Sequence, residues 1–328
     1  MRLGGKARYL ADATSEDDVG NLVSWAKEKG VPVMMIGDGS NIVWRDEGYD
    51  GLIIVNRLQG REILEQDSTS VTVKIAGGEN WDEAVAWTVR QCLSGLEFLS
   101  LIPGTAGAGP GQNLGAYGGE LSQTLVVAEC FDTQNLSFCG ILNEACGFSY
   151  RTSRFKTTDK GRFMIMGIVL KLQKAPPAPP FYESLEKYLA EHAITTFTPQ
   201  TIRDAVVAIR RSKLPDPKFV ANNGSFFTNP QVAQADYERI LSSYPDAKGW
   251  PLPDGRVKLS AAWLVEKAGF KDVHDPETGM GTWPAQALVL VNEHARSTAD
   301  LLKFKQKIVS RVQELFGVTL EQEPELLP

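Results

Sequence analysis

The chain has 328 residues, of which 43% are hydrophobic and 23% are charged, and its formal net charge is −6. This length exceeds one ordinary hydrophobic core and this composition is typical of globular proteins, so we expect two or three folded domains. A net negative chain has no general electrostatic attraction to nucleic acid or to anionic membranes. Any phosphate-bearing ligand must therefore be held by local groups.

The four cysteines show neither a C-x-x-C pair nor a histidine at metal-ligand spacing, so we expect reduced thiols and no metal site. No apolar run reaches the roughly 18 residues that a membrane-spanning helix needs, and the first residues lack the apolar segment of a secretory signal. We therefore expect a cytoplasmic monomer that binds neither membrane nor nucleic acid.

The first half of the chain predicts strands interleaved with helices. Residues 15–29 predict an amphipathic helix, because Ser15 can cap it and apolar residues follow at helical spacing. A second helix is expected at 80–92. Strands are expected within 31–44 on both sides of a Gly-Asp-Gly-Ser-Asn break, and at 51–56, 71–78, 125–132 and 163–172. Residues 101–121 are so rich in glycine that no regular element is expected there.

Helices dominate the expectations for the second half. The proline-rich run 174–180 is stiff and should form a boundary or a connector. Periodicity predicts one buried strand, 287–292, and the following helices: 184–192, 199–213, near 231–243, 258–269 and 298–317. Since the chain shows no strict β-α-β period and no internal repeat, it favours an α+β fold.

Two glycine-rich segments, 37–41 and 103–119, are candidates for binding a diphosphate through bare backbone N–H groups. Either segment alone is more typical of a simple turn, but two of them, each entered from an apolar run, favour phosphate binding. Gly107-x-Gly109-x-Gly111 resembles a Rossmann fingerprint, which requires a helix to begin at the glycines. Pro110 and the later glycines oppose that helix. A serine hydrolase is disfavoured because no G-x-S-x-G motif is present.

Seven blocks of the sequence resemble the UDP-N-acetylenolpyruvoylglucosamine reductase family, in that family's order. The Gly-Ser-Phe-Phe run at 224–227 and the YRTSRFK segment are the most specific of them. The blocks are 36–43, 101–121, 150–156, 213–230, 258–270, 286–292 and 323–325. An insertion at roughly 174–212 is similar to that of the subgroup with a substrate-covering tyrosine.

The resemblance implies an α+β protein of three domains, two of which hold FAD in the fold shared with vanillyl-alcohol-oxidase-like flavoproteins. The first would comprise 1–57 with 319–328, the second 58–212, and the third, for the substrate, 213–318. The residues that match the family's FAD contacts are Gly37, Asp38, Gly39, Ser40, Asn41, Ile42, Pro103, Gly104, Thr105, Gln112, Asn113, Gly115, Ala116, Tyr117 and Ile168.

The resemblance also implies the reaction. NADPH would reduce FAD, and hydride would then pass to the enolpyruvyl group of a UDP-linked amino sugar, a step in peptidoglycan precursor synthesis. Ser225 matches the family's proton donor. Arg151 and Glu325 match the groups that polarise the substrate carboxylate, and Glu325 would act best in a desolvated, protonated form. The residues that match substrate contacts are Tyr182, Arg210, Lys213, Asn229 and Gln286.

Two alternatives remain at this point. A sugar or alcohol oxidase of the same flavin fold often attaches its flavin through His or Cys, and neither residue occurs in the two glycine-rich segments. A protein that only binds flavin or a UDP-sugar would not need Ser225, Arg151 and Glu325 together. One departure from the family pattern is Leu327, where some relatives carry arginine, which leaves Arg151 to act on the carboxylate alone.

Overall fold

The computed structural model describes residues Met1–Pro328, whose contacts divide them into two compact units. The larger unit comprises Ala7–Ser40 and Tyr49–Arg210. The smaller unit comprises Met1–Lys6, Asn41–Gly48 and Arg211–Pro328. Both units mix helices with sheets, as the α+β expectation requires. None of the helices combines the length and the apolar character that crossing a bilayer demands.

Seven α-helices occur along the chain. They are α1 (Glu16–Lys29), α2 (Trp81–Arg90), α3 (Glu183–Glu191), α4 (Pro199–Lys213), α5 (Gln234–Ser243), α6 (Ala261–Lys267) and α7 (Thr298–Phe316).

Nineteen strands, several of them short, complete the regular structure. They are β1 (Ala7–Ala13), β2 (Val33–Ile36), β3 (Ile42–Trp44), β4 (Tyr49–Asn56), β5 (Arg61–Gln66), β6 (Ser70–Ala76), β7 (Gly115–Ala116), β8 (Gly119–Glu120), β9 (Leu125–Asp132), β10 (Ser137–Leu142), β11 (Phe163–Gln173), β12 (Ala221–Ser225), β13 (Gln231–Ala233), β14 (Gly249–Pro251), β15 (Arg256–Leu259), β16 (His274–Asp275), β17 (Met280–Trp283), β18 (Gln286–Asn292) and β19 (Glu325–Leu327).

A three-stranded parallel sheet of order β1-β4-β2 opens the larger unit, and α1 packs on it. The helix begins where the sequence predicts, because Ser15 and Asp18 form a capping box, and it ends at Gly30 in the left-handed conformation. Its apolar face, including Val19 and Val23, is buried against the sheet.

The rest of the larger unit is built on a five-stranded antiparallel sheet of order β10-β9-β11-β6-β5. Trp81 of α2 is fully buried in the core of this sheet, and its Nε1 donates to the carbonyl of Leu99 at 2.9 Å. The buried indole N–H of Trp81 thus has a hydrogen-bond acceptor. Helices α3 and α4 form a separate small core around Leu185, Leu189 and Val206.

The smaller unit contains a four-stranded sheet (β12-β18-β17-β16), a three-stranded sheet (β13-β15-β14) and the parallel pair β19-β3. Helices α6 and α7 supply much of its core, with Leu264, Phe304 and Phe316 fully buried. Helix α7 is capped by Ser297 and ends before Gly317, as predicted.

Some sequence expectations were wrong in detail. The helix expected at 258–269 begins only at Ala261, because Lys258 and Leu259 still pair in β15 and Ser260 is the cap. Residues Ala106–Gln112 form a 3₁₀-helix, whose tight turns accommodate Pro110 over a short span, although no regular element was expected there. The proline-rich run 174–180 connects β11 to α3 within the larger unit.

Candidate active site

The two glycine-rich segments lie against each other within the larger unit. The Ser40 hydroxyl donates to the carbonyl of Pro103 at 3.1 Å. A Cβ added at Gly37 would overlap the Thr105 hydroxyl and lie 3.2 Å from the Thr105 Cβ. No side chain therefore fits at position 37, and the sequence needs glycine there for the segments to approach this closely.

The backbone of both segments remains open to a ligand. A Cβ at Gly39, whose φ is 68°, or at Gly111 would meet no atom within 4 Å. Thr105 Oγ1 is buried and has no hydrogen-bond partner in the protein. A buried hydroxyl without a partner costs free energy, which a bound oxygen acceptor would recover. These residues therefore fit the phosphate-bearing cofactor FAD that the sequence implies.

The second glycine-rich segment is anchored to the turn before α2. The N–H groups of Ala106 and Gly107 donate to the carbonyls of Glu79 and Gly77, both at 2.9 Å. A Cβ at Gly107 would lie 2.9 Å from the carbonyl oxygen of Ile165 on β11. Gly77 and Gly107 therefore allow these chain segments to pack closely. Ile168, further along β11, is fully buried in the core, and it pairs with Ile75 of β6 and Ala128 of β9.

A loop carrying Arg151 is attached to the second glycine-rich segment. Arg151 Nη2 donates to the carbonyl of Gly115 at 2.8 Å, and Ser153 Oγ donates to the carbonyl of Gly111 at 2.7 Å. A Cβ at Gly115 would lie only 3.0 Å from Arg151 Nη1. The half-buried guanidinium is thus held beside the segment that was expected to meet the flavin.

Asn113 uses its side chain for the fold. It is buried with φ 45°, its Nδ2 donates to Glu120 Oε2 at 2.9 Å, and its Oδ1 accepts from the N–H of Ser122 at 3.0 Å. The same Nδ2 lies 3.4 Å from the carbonyl of Ser149, at the start of the Arg151 loop. The Asn113 amide therefore ties the second glycine-rich segment to its neighbouring loops.

Tyr117 and Tyr182, expected respectively at the flavin and over the substrate, lie beside each other. Their ring centroids are 6.0 Å apart with the planes at 84°, the edge-to-face arrangement that aromatic pairs prefer. Burial raises the pKa of both phenols, so both remain protonated donors at neutral pH. Tyr182 is still 45% exposed.

Arg210 belongs to a charged cluster in the same unit. Asp82 accepts from Arg203 at 2.6 and 2.9 Å and from the N–H of Leu101 at 2.5 Å. The Nε atom of Arg210 is buried without a hydrogen-bond partner. Burial lowers the pKa of Arg210, while Tyr117 and Asp82 raise it electrostatically. Sequence reasoning missed Arg203, although its spacing of seven residues from Arg210 puts both on one face of α4.

Ser225 ends β12 immediately after a bulge. Asn222 pairs with Val291 and Ser225 pairs with Val289, so β12 has one residue more than β18 between these pairs. The Asn222 Oδ1 accepts from the N–H of Gly224 at 2.8 Å, and Gly224 adopts φ 69°. The bulge re-aims the chain at Ser225, whose side chain remains partly accessible.

Glu325 is held in a strand although it lies close to the C-terminus. It pairs with Ile42 in the parallel pair β19-β3, and its N–H donates to the carbonyl of Asn41 at 2.9 Å. The preceding residues pair with the chain that follows Ser225, through the Phe227–Gln322 bridge. The N–H of Glu323 also donates to the carbonyl of Phe226 at 2.9 Å. The smaller unit thus pairs the residues that follow Ser225 with the residues that precede Glu325.

The remaining predicted residues occupy varied positions. Asn229 Oδ1 accepts from the N–H of Ala261 at 2.9 Å, at the start of α6. Lys213 is exposed at the end of α4, and Gln286 is half-buried at the start of β18.

Among the expected cofactor contacts, Asp38 forms an ion pair with Arg57 at 3.2 Å. Of the remaining expected cofactor contacts, Gly104 is buried, Gln112 ends the 3₁₀-helix, Ala116 lies in β7, and Asn41 and Ile42 belong to the smaller unit. Leu327 is buried, as a core residue rather than a free tail residue.

Two family profiles match the chain. Residues 7–134 match the FAD binding domain, and residues 216–327 match the C-terminal domain of UDP-N-acetylenolpyruvoylglucosamine reductase. The reductase of that name from Alcanivorax borkumensis is 41% identical over 328 residues, which cover 100% of this chain and 93% of that protein.

Two solved structures share the fold. UDP-N-acetylenolpyruvylglucosamine reductase from Thermus caldophilus superposes with a TM-score of 0.63 at 22% identity, over 97% of this chain and 91% of that one. The 6-hydroxy-D-nicotine oxidase of Arthrobacter nicotinovorans gives a TM-score of 0.55 at 14% identity, over 97% of this chain and 82% of that one.

Proposed function

The chain belongs to the UDP-N-acetylenolpyruvoylglucosamine reductase family, and we propose that it catalyses that family's reaction. The substrate is a UDP-linked amino sugar that bears an enolpyruvyl ether, and the product is UDP-N-acetylmuramate, a peptidoglycan precursor. FAD, once reduced by NADPH, supplies the hydride that adds to the methylene carbon of the enol ether. The protein must bind both partners, stabilise the charge that develops and deliver a proton.

The two glycine-rich segments hold the cofactor. The open backbone at Gly39 and Gly111 admits phosphate oxygens, and the buried Thr105 hydroxyl can donate to one of them. Asn113 and Ile168 are expected FAD contacts by the family resemblance alone, since the structure buries both residues. No covalent attachment is involved.

Ser225 donates the proton. After hydride addition the neighbouring substrate carbon carries negative charge that spreads into the carboxylate, and such a carbon is basic enough to take a hydroxyl proton. The bulge that Gly224 makes possible turns the chain immediately before this hydroxyl. Ser225 pairs with Val289 after the bulge, and a restrained backbone favours a defined direction of proton delivery.

Arg151 and Glu325 stabilise the developing charge on the carboxylate. A guanidinium can meet a carboxylate with two parallel hydrogen bonds, and Arg151 is already oriented by its bond to Gly115. Glu325 is held on a paired strand, so its side chain starts from a fixed backbone position. Such preoriented donors need little reorganisation when charge appears.

The UDP portion is held by residues of more than one element. Arg210 and Lys213 lie three residues apart on α4, and Arg210 has a buried Nε with no partner within the protein. A diphosphate would supply that partner. The partly exposed Tyr182 covers the substrate, and Asn229 and Gln286 make polar contacts with it. The Asn229 Oδ1 accepts from the N–H of Ala261, which fixes the direction of this side chain.

The enzyme acts in the cytoplasm as a monomer with three domains, 1–57 with 319–328, 58–212, and 213–318. The five-stranded sheet packs with α2 in one core, and the sheet β1-β4-β2 packs with α1 in a second core, to which Phe131, Met164 and Met166 of the five-stranded sheet also contribute. The pairing of β19 with β3 supports assigning the tail to the first domain.

The full-length identity to the family's reductases is the observation that carries this proposal. The test is an anaerobic experiment on the purified yellow holoenzyme. NADPH should bleach the flavin absorbance, and the enolpyruvyl sugar nucleotide should restore it without oxygen. Recovery with oxygen alone would indicate an oxidase, and no recovery with either would indicate a protein that only binds flavin.

A further inference from the structure

The side chain of Asn223 joins β12, which carries Ser225, to β3, the strand that pairs with β19 and its Glu325. Its Nδ2 donates to the carbonyl oxygen of Ile42 at 3.1 Å, and the residue is 8% exposed. Ile42 is the residue of β3 that pairs with Glu325. One side-chain hydrogen bond therefore connects the bulge before Ser225 to β3, the strand with which Glu325 pairs.

Asn223 lies at the one place in β12 where the backbone ladder is interrupted. Between the pairs Asn222–Val291 and Ser225–Val289, β12 contributes Asn223 and Gly224 while β18 contributes only Leu290. Bulges locally disrupt pairing and allow the chain to bend. Without a further restraint, the bulge leaves the direction of Ser225 less tightly defined than a regular ladder would.

We propose that Asn223 is a positioning residue that fixes the distance between the Ser225 hydroxyl and the Glu325 carboxyl. The inference rests on the proposed function, in which those two groups act on neighbouring atoms of one substrate. Backbone pairing after Ser225 provides one connection between the strands, through the Glu323 N–H and the Phe226 carbonyl at 2.9 Å. The Asn223 bond provides the second connection. It precedes Ser225 in the chain and reaches Glu325 through β3.

Two connections that flank a residue hold it against rotation as well as translation, whereas one connection leaves a hinge. Displacement of a reacting group by about 1 Å can slow a reaction about 100-fold. Loss of the Asn223 donor should therefore slow the step that needs both Ser225 and Glu325. Reduction of the flavin by NADPH needs neither group and should be little affected.

The test compares Asn223→Asp with a matched control, Asn292→Asp. Asn292 lies in the same unit and its Nδ2 also donates to a backbone carbonyl at 3.1 Å, that of Met1. Each variant removes one amide-to-carbonyl bond of equal length. The measurements, on FAD-loaded protein, are the melting temperature, the flavin content per chain, the rate of flavin reduction by NADPH, and the anaerobic rate of reoxidation by the enolpyruvyl substrate.

For Asn223→Asp we expect reoxidation about 10- to 100-fold slower than in the wild type. Flavin content should stay full and flavin reduction should change by less than about threefold. The deficit should shrink as pH falls, because the introduced carboxyl group, once protonated, can again donate to the Ile42 carbonyl. Asn292→Asp should share any change in melting temperature but keep wild-type reoxidation.

Equal slowing of both half-reactions, a loss of flavin, or wild-type reoxidation in Asn223→Asp would each overturn the inference. These outcomes differ from failure of the proposed function, which would appear as absence of substrate-driven reoxidation in the wild-type enzyme itself.

Discussion

The contact between Gly37 and Thr105 gives a sharp prediction about the cofactor site. In Gly37→Ala, the new methyl group overlaps the Thr105 hydroxyl and comes within 3.2 and 3.3 Å of its Cβ and Cγ2. Both residues lie in packed segments, so the backbone must shift to relieve the overlap. Overpacking of this kind costs about 1–3 kcal/mol, which lowers the melting temperature by about 2–12 °C for a unit of this size.

The same shift should separate the two glycine-rich segments and weaken FAD binding. The assay is a double-mutant cycle of Gly37→Ala, Thr105→Ala and the double variant, with melting temperature and flavin retained after gel filtration as readouts. Thr105→Ala removes the overlapping hydroxyl and the methyl group, so the double variant should be more stable than the sum of the single changes predicts. Its flavin retention should stay low, because Thr105→Ala also removes the hydroxyl proposed to donate to a phosphate oxygen.

A control variant separates steric overlap from a general effect of glycine replacement. Gly20 lies inside α1, where a Cβ would make only an ordinary contact of 3.9 Å with Phe131. Gly20→Ala should be neutral or stabilising by up to about 1 kcal/mol, since alanine favours a helix. The reasoning fails if Gly37→Ala is as stable as Gly20→Ala, or if removal of the Thr105 side chain gives no relief.

Three further predictions concern other parts of the chain. Burial opposes ionisation of Asp82, but hydrogen bonds from Arg203 and the Leu101 N–H hold the pKa of Asp82 below its ordinary value. The Asp82 carboxylate therefore stabilises the fold at neutral pH, and this contribution is lost as pH falls below about 4. In acid-titrated melting curves, Asp82→Asn should flatten the fall below about pH 5, and an unchanged slope would contradict this. Burial raises the pKa of Cys146 to about 11. At about pH 8 a thiol reagent should therefore modify the exposed Cys92 promptly, and Cys146 only after the protein unfolds. Rapid labelling of Cys146 in the native protein would refute its burial. Tyr182→Phe keeps the ring contact but loses the hydroxyl, and should raise KM about 10-fold with kcat within about twofold in steady-state assays; a larger loss in kcat than in KM would assign the tyrosine to chemistry.

Helix ends were the most predictable features of the fold, because their signals are local. The predicted ranges 15–29 and 298–317 match α1 and α7 to within one residue; Ser15 and Ser297 cap these helices, and Gly30 and Gly317 follow them in the left-handed conformation. Strand β1 was missed. Burial alternates along β1, but its exposed face carries Leu10, which is 69% exposed, between Arg8 and Asp12. This exposed apolar residue interrupts the alternation of apolar and polar residues that would indicate a strand.

The start of α6 shows the limit of helical periodicity. Leu259 has the spacing of a helical residue, yet it is buried as the last residue of β15, the central strand of its three-stranded sheet. Tertiary pairing of this kind overrides local preference and leaves no local signal.

For the candidate site, sequence blocks identified residue types but not which atoms are available. Asn113 was expected to contact the flavin, and the structure engages its amide with Glu120 and Ser122. The bidentate pair of Asp82 with Arg203 joins residues 121 positions apart, and nothing in either local sequence predicts it. Long-range hydrogen bonds between side chains depend on the completed fold.

The central claim is that the Ser225 hydroxyl supplies the proton while substrate is reduced. The most direct test is stopped-flow reoxidation of the anaerobically reduced Ser225→Ala holoenzyme by the enolpyruvyl substrate. Loss of a general acid typically slows a reaction by about 10²- to 10⁴-fold, so we predict reoxidation slowed by at least about 100-fold with flavin reduction by NADPH unchanged. Reoxidation of Ser225→Ala at the wild-type rate would contradict the account.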